Sequence, residues 1–200
     1  KQYFRQMPED EVLGQMEAIE KTADRMRKII VNLLDIFSLE SGKFNLTIKH
    51  FDVGSVTASL VNDFRTRAAA KEIEIDFISP AETIYVLADQ NATIEILENL
   101  ISNALKFLHR TGRISIRISK KEKYSAARLE VIDNGQGLAD EDKPKLFGKF
   151  ARLSARPTGG EESTGLGLYI VKKLVEAMNG RISCESEFGK GSNFIVELPL

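Results

Sequence analysis

The stretch Leu129-Glu130-Val131-Ile132-Asp133-Asn134-Gly135-Gln136-Gly137 decides how this chain folds. Leu129, Val131 and Ile132 read as the end of a buried strand over 128–133, which stops on a carboxylate followed by two closely spaced glycines. Working back, Ile114, Ile116 and Ile118 alternate in 113–119, so a polar hairpin over 120–126 joins two antiparallel neighbours. Further back, Asp89 opens a long helix running to about Leu108, and short strands are predicted over 84–87, 72–78 and 44–48. A second helix is expected over 54–71. Working forward, 134–164 is irregular, with Pro144, Pro157 and the pair Gly159-Gly160. A loop of about thirty residues is long for a compact domain and usually carries function. A helix over 165–178 follows, then a hairpin of 181–186 and 193–198. Runs of strands with helices gathered on one side define an α+β, two-layer α/β sandwich.

Ahead of this sandwich lies a long coiled-coil-like helix. Val12, Met16, Ile19, Ala23, Met26, Ile30, Leu33 and Phe37 alternate at spacings of 4 and 3, with Glu17, Glu20, Lys21, Asp24, Arg25, Arg27 and Lys28 between them. Pro8 with Glu9 and Asp10 starts the helix and Ser41-Gly42 ends it. A single helix cannot bury such a stripe, so it requires a partner helix or a second copy. The chain therefore divides into a helical region, 1–43, and a second domain, 44–200. Its 28 basic and 29 acidic side chains leave a net charge of −1, which excludes the basic footprint of nucleic-acid binding. The one cysteine, Cys184, sits in an alternating stretch and reads as a strand residue in a reducing, cytoplasmic setting. No apolar run reaches the roughly 18–20 residues of a membrane span. The chain opens on Lys1, and the expectation is a piece of a longer protein whose sensor or membrane segments lie upstream. Residues 1–7 would then be the remnant of a preceding helix.

Five segments carry chemistry together. On the long helix, Asn99 and Asn103 are four apart and share a face, and Lys106 follows one turn on. An amide oxygen at Asn103 suits Mg²⁺, which keeps several waters and substrate phosphates, and Lys106 balances phosphate charge. Glu95 and Glu98 are assigned to the solvent face. At the end of the strand, the Asp133 carboxylate is an acceptor for the exocyclic amine of adenine, a hydrogen bond contributing roughly 1.5–3 kcal/mol. Guanine offers a carbonyl there, which the carboxylate repels. Gly135 and Gly137 allow the backbone to approach a flat ring without a Cβ in the way. Thr164-Gly165-Leu166-Gly167-Leu168 opens a helix whose free N–H groups form an anion site for phosphates. It lacks the ending of a P-loop. Phe147-Gly148-Lys149-Phe150 and Arg152 read as a lid anchor with two cations reaching toward phosphates. Ser192, beside Gly191, puts a hydroxyl next to the base. Singly, each segment is equally a turn, a polar stripe or a glycine-rich helix start; in this order they describe a nucleotide pocket.

Asn99–Asn103, Asp133–Gly137, Phe147–Phe150 and Thr164–Leu168 resemble the N, G1, F and G2 boxes of sensor histidine kinases, over about residues 45–200. The resemblance implies the Bergerat-type ATP-binding fold shared with gyrase, mismatch-repair ATPases and a heat-shock chaperone. The opening helix is similar to the second dimerisation helix of such kinases, with Leu33–Ser38 and Glu40–Lys43 at its end. The implied ligands are ATP and Mg²⁺. The implied partners are a histidine on the dimerisation domain, a response regulator and, in the full-length protein, a second copy of the chain. The hydrolytic relatives carry a Glu where this chain has Asn99, so ATP is expected to persist until a nucleophile other than water arrives. The family's phosphoacceptor histidine is missing: His50 and His109 lack its surroundings. The expected function is the ATP-binding catalytic module of a two-component kinase, acting on a histidine outside this chain. The competing expectations are a degenerate scaffolding module without transfer activity and, disfavoured by Asn99, a hydrolytic ATPase.

Overall fold

The computed structural model describes residues 8–42, 44–121, 125–151, 153–158 and 164–200, with the side chains of Glu9 and Lys28 excepted. Arg152, Lys43, the remnant expected over 1–7, the tip of the 120–126 hairpin and Gly159-Gly160 lie outside the described residues. The elements run α1 (Glu9–Glu40), β1 (Lys49–Asp52), α2 (Val53–Ala69), β2 (Glu74–Ile78), β3 (Tyr85–Ala88), α3 (Gln90–Phe107), β4 (Arg113–Lys121), β5 (Ala126–Asp133), α4 (Gly167–Ala177), β6 (Arg181–Glu187) and β7 (Gly191–Pro199). The five-stranded sheet has the order β2-β4-β5-β7-β6, with β2 parallel to β4 and every other pair antiparallel. β1 and β3 form a separate antiparallel pair.

Alternation builds the core. Ile114, Ile116 and Ile118 of β4, Ala127, Leu129 and Val131 of β5, and Phe194, Val196 and Leu198 of β7 are all buried, on the face that α3 and α4 cover. α3 answers with Ile96, Leu97, Leu100, Ile101, Ala104 and Leu105, a helical stripe that faces the sheet and the neighbouring helices. Asp89 fixes where α3 begins. One carboxylate oxygen accepts the Ala92 N–H at 2.9 Å and the other accepts the Thr47 N–H at 2.6 Å, so a capped helix start is tied to the incoming chain.

Two expectations are corrected. Phe44–Ile48 is not a strand, and β1 begins at Lys49, because Asp52–Lys49 is what pairs with β3. α4 begins at Gly167 rather than Gly165, because Gly165 adopts a left-handed φ of +69° that ends the loop instead of starting a helix. The opening helix spans Glu9–Glu40, and its seam stays exposed as a lone helix leaves it: Met16, Ile19, Met26, Ile30 and Phe37 all stand in solvent. A neighbouring face, which shares Leu33 with the seam, docks on α4 and buries Ile36 to 1% exposure, with Leu39 beside it.

Candidate nucleotide site

β5 ends at Asp133, directly opposite Ser192 at the start of β7. The chain then turns so that the Gly135 N–H donates to Asp133 Oδ1 at 2.9 Å, and Asn134 Oδ1 accepts the Arg113 N–H at 2.7 Å, tying the turn to β4. Burial pushes the Asp133 carboxyl above its ordinary range, while the N–H groups of Gly135 and Ser192 pull it back. Gly137 sits at φ +65°, and a Cβ there would lie 2.1 Å from the Glu187 carbonyl oxygen. The β6–β7 hairpin therefore presses on this turn, and the protein's own packing already requires glycine at 137.

α3 forms the opposite wall with Asn103, Ala104 and Phe107. Together with Asp133, Gln136, Gly137, Leu138, Leu146, Leu153, Ala155, Leu168, Ser192 and Phe194 they line one cleft. Its walls are mainly apolar with a few polar groups converging, which is the usual make-up of a small-molecule site. Two staples hold the following loop across it. Thr158 donates its N–H to the Lys106 carbonyl at 2.9 Å and its hydroxyl to the Leu108 carbonyl at 2.5 Å. Gln136 Nε2 donates to the Arg156 carbonyl at 3.0 Å. A more open groove at the other end of β5, lined by Ser125, Asn179, Arg181 and Glu197, lacks such apolar walls.

Of the residues singled out from sequence, the structure brings Asn103, Asp133, Gly137, Leu168 and Ser192 into this cleft. Gly135 stands behind Asp133 as its hydrogen-bond donor. Asn99 faces a different neighbour: its Nδ2 donates to the Glu95 carbonyl at 2.9 Å, and its Oδ1 lies 2.8 Å from where a Cβ on Gly167 would stand. Gly167 thus admits the Asn99 amide at the start of α4. Gly165 packs on the backbone of Phe150 and Ala151, and Leu166 is fully buried. Thr164 Oγ1 accepts the Leu166 N–H at a long 3.4 Å. Lys106 is half-buried on the last turn of α3.

Lys149 is not in the cleft. Its Nζ lies 3.1 and 3.2 Å from the two Glu40 carboxylate oxygens at the end of α1, and Tyr169 donates its hydroxyl to the same carboxylate at 2.6 Å. Those two hydrogen bonds, Tyr169 first, hold the Glu40 carboxyl below its ordinary range. Phe147 packs against the core, whereas Phe150 is exposed at φ +57°. Glu95 also departs from expectation. It is half-buried rather than on the solvent face; burial, then Asp35 on α1, then Glu98, push its carboxyl up to about 7, while Glu98 itself is exposed. Cys184 is the strand residue expected, on β6, with its thiol pushed up to about 12 chiefly by burial. Sequence reasoning missed the cleft's apolar lining, above all Phe107, Leu138, Leu146, Leu153 and Phe194. The signal available was a set of large apolar side chains inside or flanking each polar motif. Among the described residues no group of three or more His, Cys, Asp or Glu side chains converges, so no all-protein metal cage exists there. The Asn103 amide in the cleft fits a Mg²⁺ that arrives with phosphates and water as its other ligands.

Residues 88–200 match the family described as "Histidine kinase-, DNA gyrase B-, and HSP90-like ATPase". The chain is 35% identical over 190 residues to the sensor protein GacS of Pseudomonas syringae pv. syringae, covering 91% of this chain and 20% of that one. It is 31% identical over 186 residues to the circadian input-output histidine kinase CikA of Synechococcus elongatus, covering 92% and 24%. Full-length ShkA in complex with AMPPNP superimposes with a TM-score of 0.79 at 28% identity, over 93% of this chain and 38% of that one. The catalytic domain of the histidine kinase ThkA superimposes with a TM-score of 0.67 at 27% identity, over 77% and 96%. The chain belongs to this ATPase family, and within it to the catalytic ATP-binding domains of sensor histidine kinases. It spans between 12% and 24% of the length of the first curated relatives it matches. Among the described residues no helix is long and apolar enough to cross a membrane.

Proposed function

We propose that the chain binds Mg–ATP in the cleft between α3 and the β5–β7 edge and delivers the γ-phosphoryl group to a histidine outside this chain. The single observation that carries this reading is that Asn103 and Asp133, thirty residues apart in sequence, line one largely apolar cleft. In this reading the Asp133 carboxylate accepts from the adenine amine and Ser192 stands beside it. Gly135 and Gly137 shape the turn. The amides of Gly165, Leu166, Gly167 and Leu168, with Thr164, face the β- and γ-phosphates. Lys106 balances their charge, and Asn99 fixes the start of α4 against α3. Asn103 holds Mg²⁺, which draws electron density from the phosphates when bound. Lys149 and Arg152 complete the ATP-binding set as cations near the phosphates, with Lys149 first exchanging Glu40 for its new partner. In the transfer an imidazole nitrogen bonds to the γ-phosphorus, the bond to the ADP oxygen breaks and the imidazole proton leaves.

Neither His50, exposed on β1, nor His109, exposed after α3, lies in the cleft, which supports an acceptor elsewhere. Asn99 commits its amide to the Glu95 carbonyl and carries no carboxylate, which supports the absence of a water-activating base at this position. The helical region 1–43 and the catalytic domain 44–200 are taken as separate working parts. A cytoplasmic setting, pairing of two chains through α1 and onward transfer to a response regulator complete the proposal. The solved complex of ThkA with the response regulator protein TrrA is a precedent for the last.

Calorimetry with Mg–ATP and Mg–GTP tests the reading. ATP binding with GTP weaker by about tenfold or more is expected from one charged hydrogen bond exchanged for a repulsion. Equal binding of the two, or of neither, overturns it. The same protein incubated with radiolabelled ATP should acquire no stable label, and label on His50 or His109 would overturn the acceptor assignment.

A further inference from the structure

Ser186, on β6, was singled out by neither motif nor resemblance, yet three hydrogen-bonding groups converge on its hydroxyl. The Leu138 N–H, from the turn after Asp133, donates to Ser186 Oγ at 2.9 Å. Ser186 Oγ donates to the Gly191 carbonyl at 2.8 Å. Ser192 Oγ lies 3.0 Å away. A serine hydroxyl has one proton and two acceptor sites. With Leu138 on one acceptor site and its own proton on Gly191, Ser186 has a single position left, an acceptor site, and Ser192 fills it with its proton. The Ser192 oxygen then turns only lone pairs to the cleft, which it lines directly opposite Asp133. The reverse arrangement, Ser186 donating to Ser192, gives up the 2.8 Å bond to the Gly191 carbonyl for one of 3.0 Å in a half-buried place.

We propose that Ser186 is a specificity-determining positioning residue: its hydroxyl fixes Ser192 as an acceptor, so that the base edge of the cleft meets only purines with a 6-amino group. This inference rests on the reading of Asp133 as the acceptor for the base. An exocyclic amine carries two protons, one for each acceptor; a 6-oxo group carries none and meets lone pairs from both sides. Freed from Ser186, the Ser192 hydroxyl rotates and donates to the 6-oxo oxygen, so selectivity drops. Ser186 touches no ligand in this scheme and acts wholly through Ser192.

The experiment is calorimetric titration of the protein and its Ser186→Ala variant with Mg–ATP and with Mg–ITP, which differ in the 6-amino and 6-oxo groups and the accompanying N1 proton. The wild-type chain should favour ATP, and Ser186→Ala should reduce the ATP-to-ITP preference by about tenfold, the scale of one hydrogen bond gained by the wrong base. Ser186→Thr, which keeps the hydroxyl, should restore the preference. A merely structural role weakens both nucleotides together and leaves the ratio unchanged, and that outcome overturns the proposal. If Ser186→Ala does not fold, Ser192→Ala replaces it. Removing the hydroxyl that Ser186 orients should lower the ratio, and an unchanged ratio is again fatal. A wild-type chain that binds ATP and ITP alike contradicts the Asp133 reading instead, so the two failures are told apart.

Discussion

In the proposed reading, Asp133 serves recognition at the expense of the fold. Its carboxyl is pushed above the ordinary range by burial, and the N–H groups of Gly135 and Ser192 offset only part of that. A carboxyl raised in the folded state favours folding fully below its unfolded pKa, and this contribution is lost as pH rises through the raised folded value. At neutral pH the charged form therefore burdens the apo fold. Recognition has the opposite sign, because an adenine amine needs the ionised acceptor, so ATP affinity should fall as pH drops through that same raised value. Asp133→Asn separates the two effects, since an amide oxygen still accepts the Gly135 N–H. The expected outcome is an ATP affinity lower by about tenfold to a hundredfold, the scale of a hydrogen bond to a charged group. The apo protein's thermal midpoint should not fall. Calorimetry and a melting curve check both, and a destabilised variant would show that the carboxylate is mainly a structural acceptor.

Between elements, the same physics acts where α1 meets the catalytic domain. Ile36 is buried there, and Asp35 stands near Glu95 of α3, with Glu98 the other acidic group acting on Glu95. Burial also raises Asp35. The docked Glu95 carboxyl titrates at about 7, above the ordinary 4.5. Its contribution to docking is thus fully present at pH below its undocked value and is lost as pH rises through about 7. Hydrogen exchange in α1 should accordingly become faster between mildly acid and mildly alkaline pH, beyond the intrinsic chemical rate. Glu95→Gln should remove that excess; a dependence left intact in the variant assigns it elsewhere. This contact also marks where sequence reasoning stops. α3 was legible because its cap, Asp89, and its apolar stripe are local, and Asn103, Asp133 and Ser192 were legible because each closes a short motif. Lys149 was not: its partner Glu40 lies 109 residues away in sequence, and no local pattern announces such a pair. Glu95 looked solvent-facing for the same reason, because Asp35, which acts on it, is remote in sequence. The strand at Lys49 rather than Phe44 depends on pairing with β3, again a non-local choice.

At the scale of the whole molecule, α1 has two faces and the catalytic domain uses only one. Ile36 and its neighbours dock on α4, which leaves Leu13, Met16, Ile19, Met26, Ile30 and Phe37 each more than half exposed along the other side. An apolar stripe of this length on a solvated helix draws it to a partner, because burying one such side chain contributes about 1.5–3 kcal/mol. A second copy supplies the same stripe with the same 4–3 spacing, which is the requirement for a two-helix seam. Sedimentation of the chain should therefore show concentration-dependent association, and the paired change Met16→Glu with Met26→Glu should abolish it. Those positions are remote in sequence from the cleft residues, so ATP affinity should be retained in the double variant. A wild-type chain that stays monomeric to high concentration would mean that two single helices cannot close the stripe. The missing surface would then have to come from another helix.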